Sequence, residues 1–330
     1  MTSDDAPTPG RERYVVTAST RSIPHTQIHL YASLEHDRGK LAQEHGHPRD
    51  ADIYMDETEH KYFVRFGGER DTEFVSTNIV SASGFSGEYF HKFDAKAVSE
   101  KLSLTHPRYQ GRTPEHIRAE WENSARTGTA YHLMLENFFN GVPLPSEHFA
   151  DKPLQQFRKW RGRCLVQSGH TPWRTEMKLY SSREYLLVGT LDLVCVDERE
   201  LQRRLAQQPD PAQVRLPLVL YDHKFSKKIH LKAFADKTGF GPCQRVPCTN
   251  FHKYSLAMHL YRWMLETYYT GVRYRGRVFR NAEILAMYLD VFHHTHEDYE
   301  MYKIPLEGPV FEVFKEMLRL RKTAVARLTS

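Results

Sequence analysis

The amino-acid sequence predicts an α/β fold in which a mixed central β-sheet is flanked by α-helices. Apolar and β-branched residues alternate in the ranges 171–180, 186–196 and 218–223, which is the pattern of strands. Helical periodicity and capping residues stand on both sides of these ranges, at 113–126 and at 254–269. The chain has 330 residues, of which 40% are hydrophobic and 26% charged, and this composition is ordinary for a globular protein.

The elements before the sheet begin with a polar, weakly periodic stretch. We expect residues 1–50 to form a flexible or loosely packed arm, with a short strand at 14–16, and residues 51–330 to form the main domain. The next predicted elements are a hairpin (52–54 and 62–66), a loop leading to a short helix (78–93), a helix capped by Thr113, a second helix after Gly128, and a third helix (154–168).

The elements within and after the sheet follow from the same patterns. The polar segment that separates the second and third strands, 197–217, is predicted to be a helical excursion from a hairpin. A helix at 254–269 and a strand at 283–292 come next. A final amphipathic helix at 310–328 completes the main domain.

Charge and cysteine content narrow the class of protein. The net charge of +5 fits a polyanionic partner without requiring one. The four cysteines do not resemble a disulfide framework, which favours a reducing compartment. No apolar run reaches the roughly 18 to 20 residues that a membrane span needs, and the N-terminal residues lack the features of a signal peptide. We therefore expect a soluble intracellular protein, with no membrane partner.

Two acidic residues and a lysine lie within two consecutive predicted strands. Asp192 stands in VGTLDLVCVD (188–197), and Asp222 and Lys224 stand in LVLYDHKFSKK (218–228). Residues i and i+2 of a strand point to the same face, so Asp222 and Lys224 project together. If the two strands are neighbours, Asp192 reaches the same point.

This combination of side chains predicts a metal site. Two carboxylates that converge on one point are costly unless a cation neutralises them, and hard oxygen ligands favour Mg²⁺, for which Mn²⁺ can substitute. A lysine beside them can position or help deprotonate a water, or offset charge that develops on a phosphate. Asp192, Asp222 and Lys224 are therefore the candidate catalytic residues for metal-assisted hydrolysis of a phosphodiester bond.

Further candidates lie upstream of these strands. His132 and Glu136 are four residues apart on a predicted helix and hence on one face. His132 can serve as another metal ligand. Glu136 can act as an outer ligand or orient a metal-bound water, which makes it a further candidate catalytic residue. Glu176, on the strand before Asp192, is an additional acidic neighbour.

The order of these motifs resembles the PD-(D/E)XK nuclease superfamily. The resemblance is strongest to the branch of RecB-type and lambda-exonuclease-type enzymes, and the layout is also similar to that of nucleases of large DNA viruses and phages. It covers residues 50–305 and includes the helical stretch at 251–269. The motifs that carry it are Gly128-Thr129…His132…Glu136, Glu176, Gly189-Thr190-x-Asp192 and Asp222-His223-Lys224.

The resemblance implies both a fold and an activity. The fold is a restriction-endonuclease-like core. The activity is that of a Mg²⁺-dependent deoxyribonuclease, an exonuclease more than an endonuclease, whose partner is DNA as a duplex end or a single strand. Such an enzyme would take part in DNA recombination, repair or replication processing.

The resemblance also implies a role for individual residues. Asp192 and Asp222 would be the main metal carboxylates, with His132 near the metal and the backbone carbonyl of His223 as a further ligand. Lys224 would be the catalytic lysine. The remaining candidates, which would line the site or contact the substrate, are Tyr261, Thr190, Lys227 and Lys228.

Two features depart from the pattern of this family. The branch usually has a glutamine four residues before the tyrosine, and that position here is Ala257. Because the glutamine is thought to support the lysine or the DNA backbone, its replacement favours an alternative function, a catalytically weak or inactive nuclease-like module that binds DNA. The interval of 30 residues from Asp192 to Asp222 is also longer than the usual short hairpin.

Other interpretations apply to single features. Asp222 and Lys224 could form an exposed ion pair of little energetic weight. A zinc hydrolase built on the histidines is a second rival, and Cys243, Cys248 and His252 could hold a structural metal, although their spacing fits neither zinc nor an iron–sulfur cluster.

The basic and aromatic residues near the motifs also have two interpretations. Lys227, Lys228 and Lys232 could be a solvated face or could contact phosphates. A short aromatic cluster could stack on bases, although packing in the core is the usual role of such residues. The members of this cluster are Tyr89, Phe90 and Phe93.

Overall fold

A mixed seven-stranded β-sheet with helices on both faces forms the centre of the computed structural model, which describes residues 39–56, 59–67, 74–148 and 150–328. The predicted α/β class, with a mixed sheet flanked by helices, is thereby confirmed. The strand predicted at 14–16 lies outside the described residues, as does most of the predicted N-terminal arm.

The described strands form one small hairpin and one large sheet. They are β1 (Ile53–Asp56), β2 (Lys61–Val64), β3 (Val80–Ser81), β4 (His170–Tyr180), β5 (Leu187–Asp197), β6 (Leu216–Lys224), β7 (Thr270–Tyr274), β8 (Arg277–Val291) and β9 (Glu300–Ile304). β1 and β2 pair antiparallel, as the predicted hairpin requires. The large sheet has the order β3-β5-β6-β8-β7, with β4 on β5 and β9 on β8. β6 runs antiparallel to β5 and parallel to β8.

The described helices lie before, between and after these strands. They are α1 (Lys40–Glu44), α2 (Ala82–Gly87), α3 (Ala95–Thr105), α4 (Pro114–Phe139), α5 (Lys152–Trp160), α6 (Glu198–Gln207), α7 (Asn250–Tyr268) and α8 (Pro309–Leu328). A π-helical segment, Arg161–Gln167, continues α5. Thr113 caps α4 as predicted, because its side chain accepts a hydrogen bond from the backbone N–H of His116. Among the described residues, none of the helices combines the length and the apolar character that crossing a membrane requires.

The helix that carries His132 differs from the prediction. The sequence predicts two helices that meet at Gly128, whereas α4 runs without a break through this residue. A glycine inside a helix costs about 1 kcal/mol, which the residues on both sides of it can offset. Phe225 packs at this point, since a Cβ atom on Gly128 would lie 3.8 Å from that of Phe225. A single long helix therefore spans the site.

Five of the described helices and strands are missing from the prediction: α1, β3, α3, β7 and β9. α3 has one buried residue, Ser99, and so carries almost no apolar stripe. β7 and β9 have five residues each, and each has a largely exposed face. Short or solvated elements of this kind give weak periodic signals, because the signal comes from the side chains that are buried.

Two apolar cores lie on opposite faces of the sheet. Leu218 and Leu220 of β6 belong to the core that α7 and α8 cover. Val219 and Tyr221 belong to the core that α4 and α5 cover, where the ring of Trp160 packs edge-on against Tyr221 at a centroid distance of 5.2 Å. The alternation of these residues places β6 between both cores, which fixes its register.

β5 and β6 separate from each other before they end. The last registered pair between them is Leu193 with Tyr221. Beyond it β5 stays paired with β4 and meets β3 at 187–188, whereas β6 stays paired with β8. The opening between the two strands, which we call the fork, is bordered by residues 189–192 of β5 and 222–224 of β6.

The described part of the predicted arm, residues 39–50, packs beside β4. Leu41 of α1 is buried. The guanidinium of Arg49 lies 3.5 Å from the ring centroid of Tyr180. The same guanidinium donates hydrogen bonds of 2.7 and 2.9 Å to the backbone carbonyls of Tyr180 and Ser181.

Candidate metal centre

The two acidic residues predicted on consecutive strands face each other across the fork. Because Leu193 and Tyr221 are the last registered pair, Asp192 and Asp222 occupy the next position on either strand. The backbone N–H of His223 donates to Oδ2 of Asp192 at 2.7 Å. A side-chain carboxylate thus takes the place of a backbone acceptor, and this contact holds Asp192 at the apex of the fork.

His132, Glu176 and Asp192 form a compact group of potential metal ligands. Nδ1 of His132 lies 3.5 Å from Oδ2 of Asp192 and 3.8 Å from Oε1 of Glu176. One ligand atom from each residue lies within 4.8 Å of the other two, and no other His, Cys, Asp or Glu group of the described residues has this spacing. The three residues come from α4, β4 and β5, so the sheet and a covering helix jointly build the group.

Glu176 reaches this group through an unusual backbone conformation. Its φ is +44°, in the left-handed region that residues other than glycine rarely adopt. The registered pairs around it are Thr175 with Leu193 and Met177 with Leu191, and no pair stands between them. Strain of this kind costs about 1 to 3 kcal/mol and concentrates at functional sites. The sequence identifies Glu176 only as an acidic neighbour, because it carries no signal of this conformation.

Asp222 and Lys224 form a close ion pair at the mouth of the fork. Nζ of Lys224 lies 2.7 Å from Oδ2 of Asp222, and their side chains are 20% and 9% exposed. Burial lowers the pKa of Lys224, but the carboxylates of Asp222 and Asp192 outweigh it and raise the pKa above its ordinary value. Burial raises the pKa of Asp222; Lys224 opposes this shift and the charge of Asp192 adds to it. An exposed pair of little weight is therefore not what the structure contains.

The carboxylates near His132 also shift its pKa. Burial on its own lowers the pKa of His132, but the carboxylates of Asp192 and Glu176 reverse the direction and raise it. The Lys224 ammonium is a cation that the structure places beside these acids. A divalent ion would bind the acids and the imidazole in their deprotonated forms.

The donor atoms at the fork fit a hard divalent cation. Carboxylates from Glu176, Asp192 and Asp222 are close to a single imidazole, that of His132. Oxygen-rich sets of this kind suit Mg²⁺ and Mn²⁺. Zinc sites built by histidine clusters or by cysteines have a different donor set.

The backbone and the side chain of His223 face in different directions. The N–H of Phe292 donates to the carbonyl of Lys224, so Lys224 is bonded toward β8. By the alternation of a strand, the backbone N–H and carbonyl of His223 face the fork instead. The imidazole of His223 projects from the opposite side of β6 to the side chains of Asp222 and Lys224. It is buried, with Nδ1 3.4 Å from Oδ2 of Asp290. The carbonyl is therefore available as a ligand, and the imidazole is not.

Two tyrosines of α7 close the site on one side. The Lys224 ammonium lies 4.9 Å from the ring centroid of Tyr254, within the range of a cation–π interaction. Tyr261 is buried; burial and the nearby Asp222 carboxylate raise its pKa. Gly189 makes room for this ring, since a Cβ there would lie 2.5 Å from Cε1 of Tyr261.

Tyr254 is a residue that the sequence analysis missed. It stands one helical turn before Ala257, the position where the family pattern expects glutamine, and so lies on the same side of α7. Ala257 is half-buried and packs at the margin of the core. Scanning one turn to either side of the missing glutamine would have found Tyr254.

Thr190 has a hydrogen-bond partner that the sequence does not suggest. Its Oγ1 lies 2.9 Å from the hydroxyl of Tyr62, a residue of β2. Thr175 donates to the backbone carbonyl of Asp192 at 2.8 Å. The small hairpin thus reaches the fork and supports β5 at its unpaired edge.

Several predicted residues lie outside the ligand group. Glu136 is buried one turn further along α4, but it does not belong to the compact group of ligand atoms. The thiol of Cys243 is buried beside the sulfur of Met317, at 3.7 Å. Within the described ranges, Cys243, Cys248 and His252 do not form a compact ligand group. Glu176, which the sequence analysis named only as an acidic neighbour, is the glutamate that lies in the compact group.

The lysines and aromatics near the motifs separate into buried and exposed residues. Lys227 and Lys228 are exposed in the loop after β6. Phe90 is buried in a core, as expected for such a residue, whereas 67% of the surface of Phe93 is exposed. Phe93 is thus the member of its cluster that is free to contact a ligand.

No model of a known protein family matches this chain, and no curated protein matches it.

Proposed function

We propose that this chain is a metal-dependent deoxyribonuclease of the PD-(D/E)XK type, with a restriction-endonuclease-like core and closest in kind to RecB-type and lambda-exonuclease-type enzymes. Its substrate is DNA and its reaction is hydrolysis of phosphodiester bonds. It acts from DNA ends, in processing for recombination, repair or replication. Mg²⁺ is the proposed cofactor, and Mn²⁺ can substitute.

One observation carries the proposal. At the point where β5 and β6 separate, three carboxylates, one imidazole and one lysine meet. Burial of so many ionisable groups is unfavourable unless it serves binding or catalysis. The set of acids beside a lysine is what metal-assisted attack of water on phosphorus needs.

The residues of the fork would have two roles, which are coordination of a cation and contact with the phosphate. Asp192, Asp222, His132 and Glu176 would hold the metal together with the carbonyl of His223. When bound, the metal lowers the pKa of a coordinated water and polarises the phosphate.

Lys224 contributes a positive charge. The carboxylates of Asp222 and Asp192 raise the pKa of Lys224, and its ammonium can donate a hydrogen bond to a phosphate oxygen and offset negative charge there. Tyr254 keeps the ammonium in place from the side of α7.

The test is cleavage of DNA under defined metal conditions. End-labelled linear duplex, single-stranded DNA and closed circular DNA are each incubated with Mg²⁺, Mn²⁺ or chelator. We expect loss of label from linear DNA with either metal, none with chelator, and an intact circle. Cutting of the circle would assign endonuclease action instead.

Variants connect this activity to the fork. Asp192→Ala and Lys224→Ala should abolish cleavage while the fold persists, as followed by circular dichroism. Lys303→Ala, which removes an exposed strand lysine, is the matched control and should cleave like the parent chain. Binding of DNA without cleavage in the parent chain would favour the alternative, a nuclease-like binding module. Cleavage that survives both fork variants contradicts the proposal.

A further inference from the structure

A cavity of about 710 Å³ opens next to the loop that follows β6. Its volume lies within the range of ligand pockets, about 300 to 1,000 Å³. Phe93 and Trp121 form its aromatic part, with ring centroids 5.5 Å apart. Among the described residues, both rings lie outside the apolar cores, and Phe93 is 67% exposed. A pair of aromatic rings, one exposed and one half-buried, that packs in none of these cores is a feature that a ligand explains.

The other part of the cavity is basic. Lys227, Lys228 and His230 line it, and all three are exposed. Asn250, the first residue of α7, fixes the backbone of this loop: its Oδ1 accepts from the N–H of His230 at 2.7 Å, and its Nδ2 donates to the carbonyl of Lys228 at 3.1 Å. His296 lies with Nε2 2.7 Å from the carbonyl of Lys227. The loop thus presents its two lysine side chains from a fixed backbone.

α4 connects the cavity to the candidate metal centre. Trp121 and His132 are eleven residues apart, which is about three helical turns, so both side chains project from the same face. At about 1.5 Å per residue, they are about 16 Å apart along the helix axis. This distance corresponds to about five stacked nucleotides at about 3.4 Å each. From the other side, Lys227 follows Lys224 by three residues.

We propose that this cavity binds an unpaired DNA strand and leads it to the metal centre. Bases stack on Phe93 and Trp121, and Lys227 and Lys228 contact the phosphates, a combination that suits single strands because every base has an aromatic face. In a duplex the bases stack on each other and do not present these faces to a protein. The inference deepens the proposed function, on which it rests, by naming single-stranded DNA as the form of substrate held beside the site.

The experiment measures binding with cleavage prevented. Fluorescence anisotropy with a labelled 20-nucleotide oligo-dT and with a labelled 20-base-pair blunt duplex is recorded on the full chain in chelator at fixed salt. Phe93→Ala should weaken binding of oligo-dT by about 5- to 150-fold, the range for removing one stacking aromatic. Duplex binding should change by less than twofold. Phe234→Ala, an 82% exposed aromatic outside the cavity, is the matched control and should change neither.

Two further variants keep the test decisive. Trp121→Phe retains a stacking ring and should bind oligo-dT within about threefold of the parent chain, whereas Trp121→Ala should resemble Phe93→Ala. Lys227→Gln with Lys228→Gln should reduce the slope of log affinity against log salt by about 0.7 for each phosphate that these lysines neutralise. Oligo-dT binding that is unchanged by Phe93→Ala and Trp121→Ala overturns the inference.

The outcomes separate this inference from the proposed function. If the chain cleaves DNA with Mg²⁺ but its oligo-dT binding is unaffected by removal of either aromatic ring, the proposed strand-binding cavity is contradicted and the proposed nuclease activity is supported. If oligo-dT binding depends on the two aromatic rings but no DNA is cleaved, the proposed strand-binding cavity is supported and the proposed nuclease activity is contradicted.

Discussion

The two halves of β6 differ in their strand pairing and in the polarity of the side chains that they bury. From Leu218 to Tyr221 the strand pairs on both edges, and its side chains are apolar and buried. From Asp222 to Lys224 it pairs with β8 alone, and it buries charged or titratable side chains. If the fork is the proposed site, the first half stabilises the fold and the second half gives up part of that stability for function. The contrast predicts that stability and activity respond to different halves.

The change with the largest expected effect on this contrast is to make the second half of β6 apolar. In the double variant Asp222→Leu, Lys224→Met both members of the ion pair disappear, so no unpaired buried charge remains. We expect cleavage to fall by at least about 1,000-fold, because charge stabilisation at the phosphate is removed. The free energy of unfolding should be unchanged or higher by about 1 to 4 kcal/mol.

Cleavage assays and urea unfolding of the same preparation measure both quantities. A large loss of stability in this double variant would show that the ion pair holds the fold together, and the contrast between the halves would be wrong.

The reverse change is made in the first half. Leu220→Ala removes a fully buried side chain from the core under α7. We expect the free energy of unfolding to fall by about 2 to 5 kcal/mol while the folded molecules still cleave DNA. Val278→Ala, at a 49% exposed position of β8, is the control and should change stability by less than about 0.5 kcal/mol. Urea unfolding followed by circular dichroism distinguishes the two.

Gly189→Ala tests how closely α7 approaches the fork. The new Cβ would lie 2.5 Å from Cε1 of Tyr261 and 3.0 Å from Cβ of Ala82, so the buried tyrosine must shift. We expect a loss of about 1 to 3 kcal/mol, with reduced cleavage. Gly87→Ala is matched to it, because a Cβ at Gly87 has open space around it. Equal thermal stability of both variants would contradict the close approach.

Glu176→Gly tests the cost of the left-handed backbone at this residue, and its expected effect on stability is the smallest of the set. Glycine adopts a φ of +44° without strain, so the variant should gain up to about 1 kcal/mol of stability and lose metal-dependent cleavage. Glu176→Gln keeps the strained backbone and should lose cleavage without the gain. Thermal unfolding of the two variants, compared with each other, reads out the strain directly.

The same contrast explains what the sequence could predict. The apolar runs of β5 and β6 predict these strands because both are almost fully buried, and the alternation of β4 predicts a strand with one partly exposed face. Asp192, Asp222 and Lys224 stand out as charges inside such strands, so the pattern that predicts the sheet also marks the site.

The remainder of the site depends on distant contacts. The left-handed backbone of Glu176, the reach of Tyr62 to Thr190, and the approach of Tyr254 to Lys224 join residues that are far apart in the chain or lack a periodic signal. The continuity of α4 through Gly128 escapes prediction for a related reason, since tertiary packing overrides a local preference.

The most direct test of the central claim is a calorimetric titration of Mn²⁺ into the parent chain and into Asp192→Asn, which preserves an oxygen acceptor for the His223 N–H. If the fork is a metal centre, the parent chain binds Mn²⁺ and the variant binds it at least about 10-fold more weakly. Mn²⁺ affinity that is the same in both proteins would contradict the account.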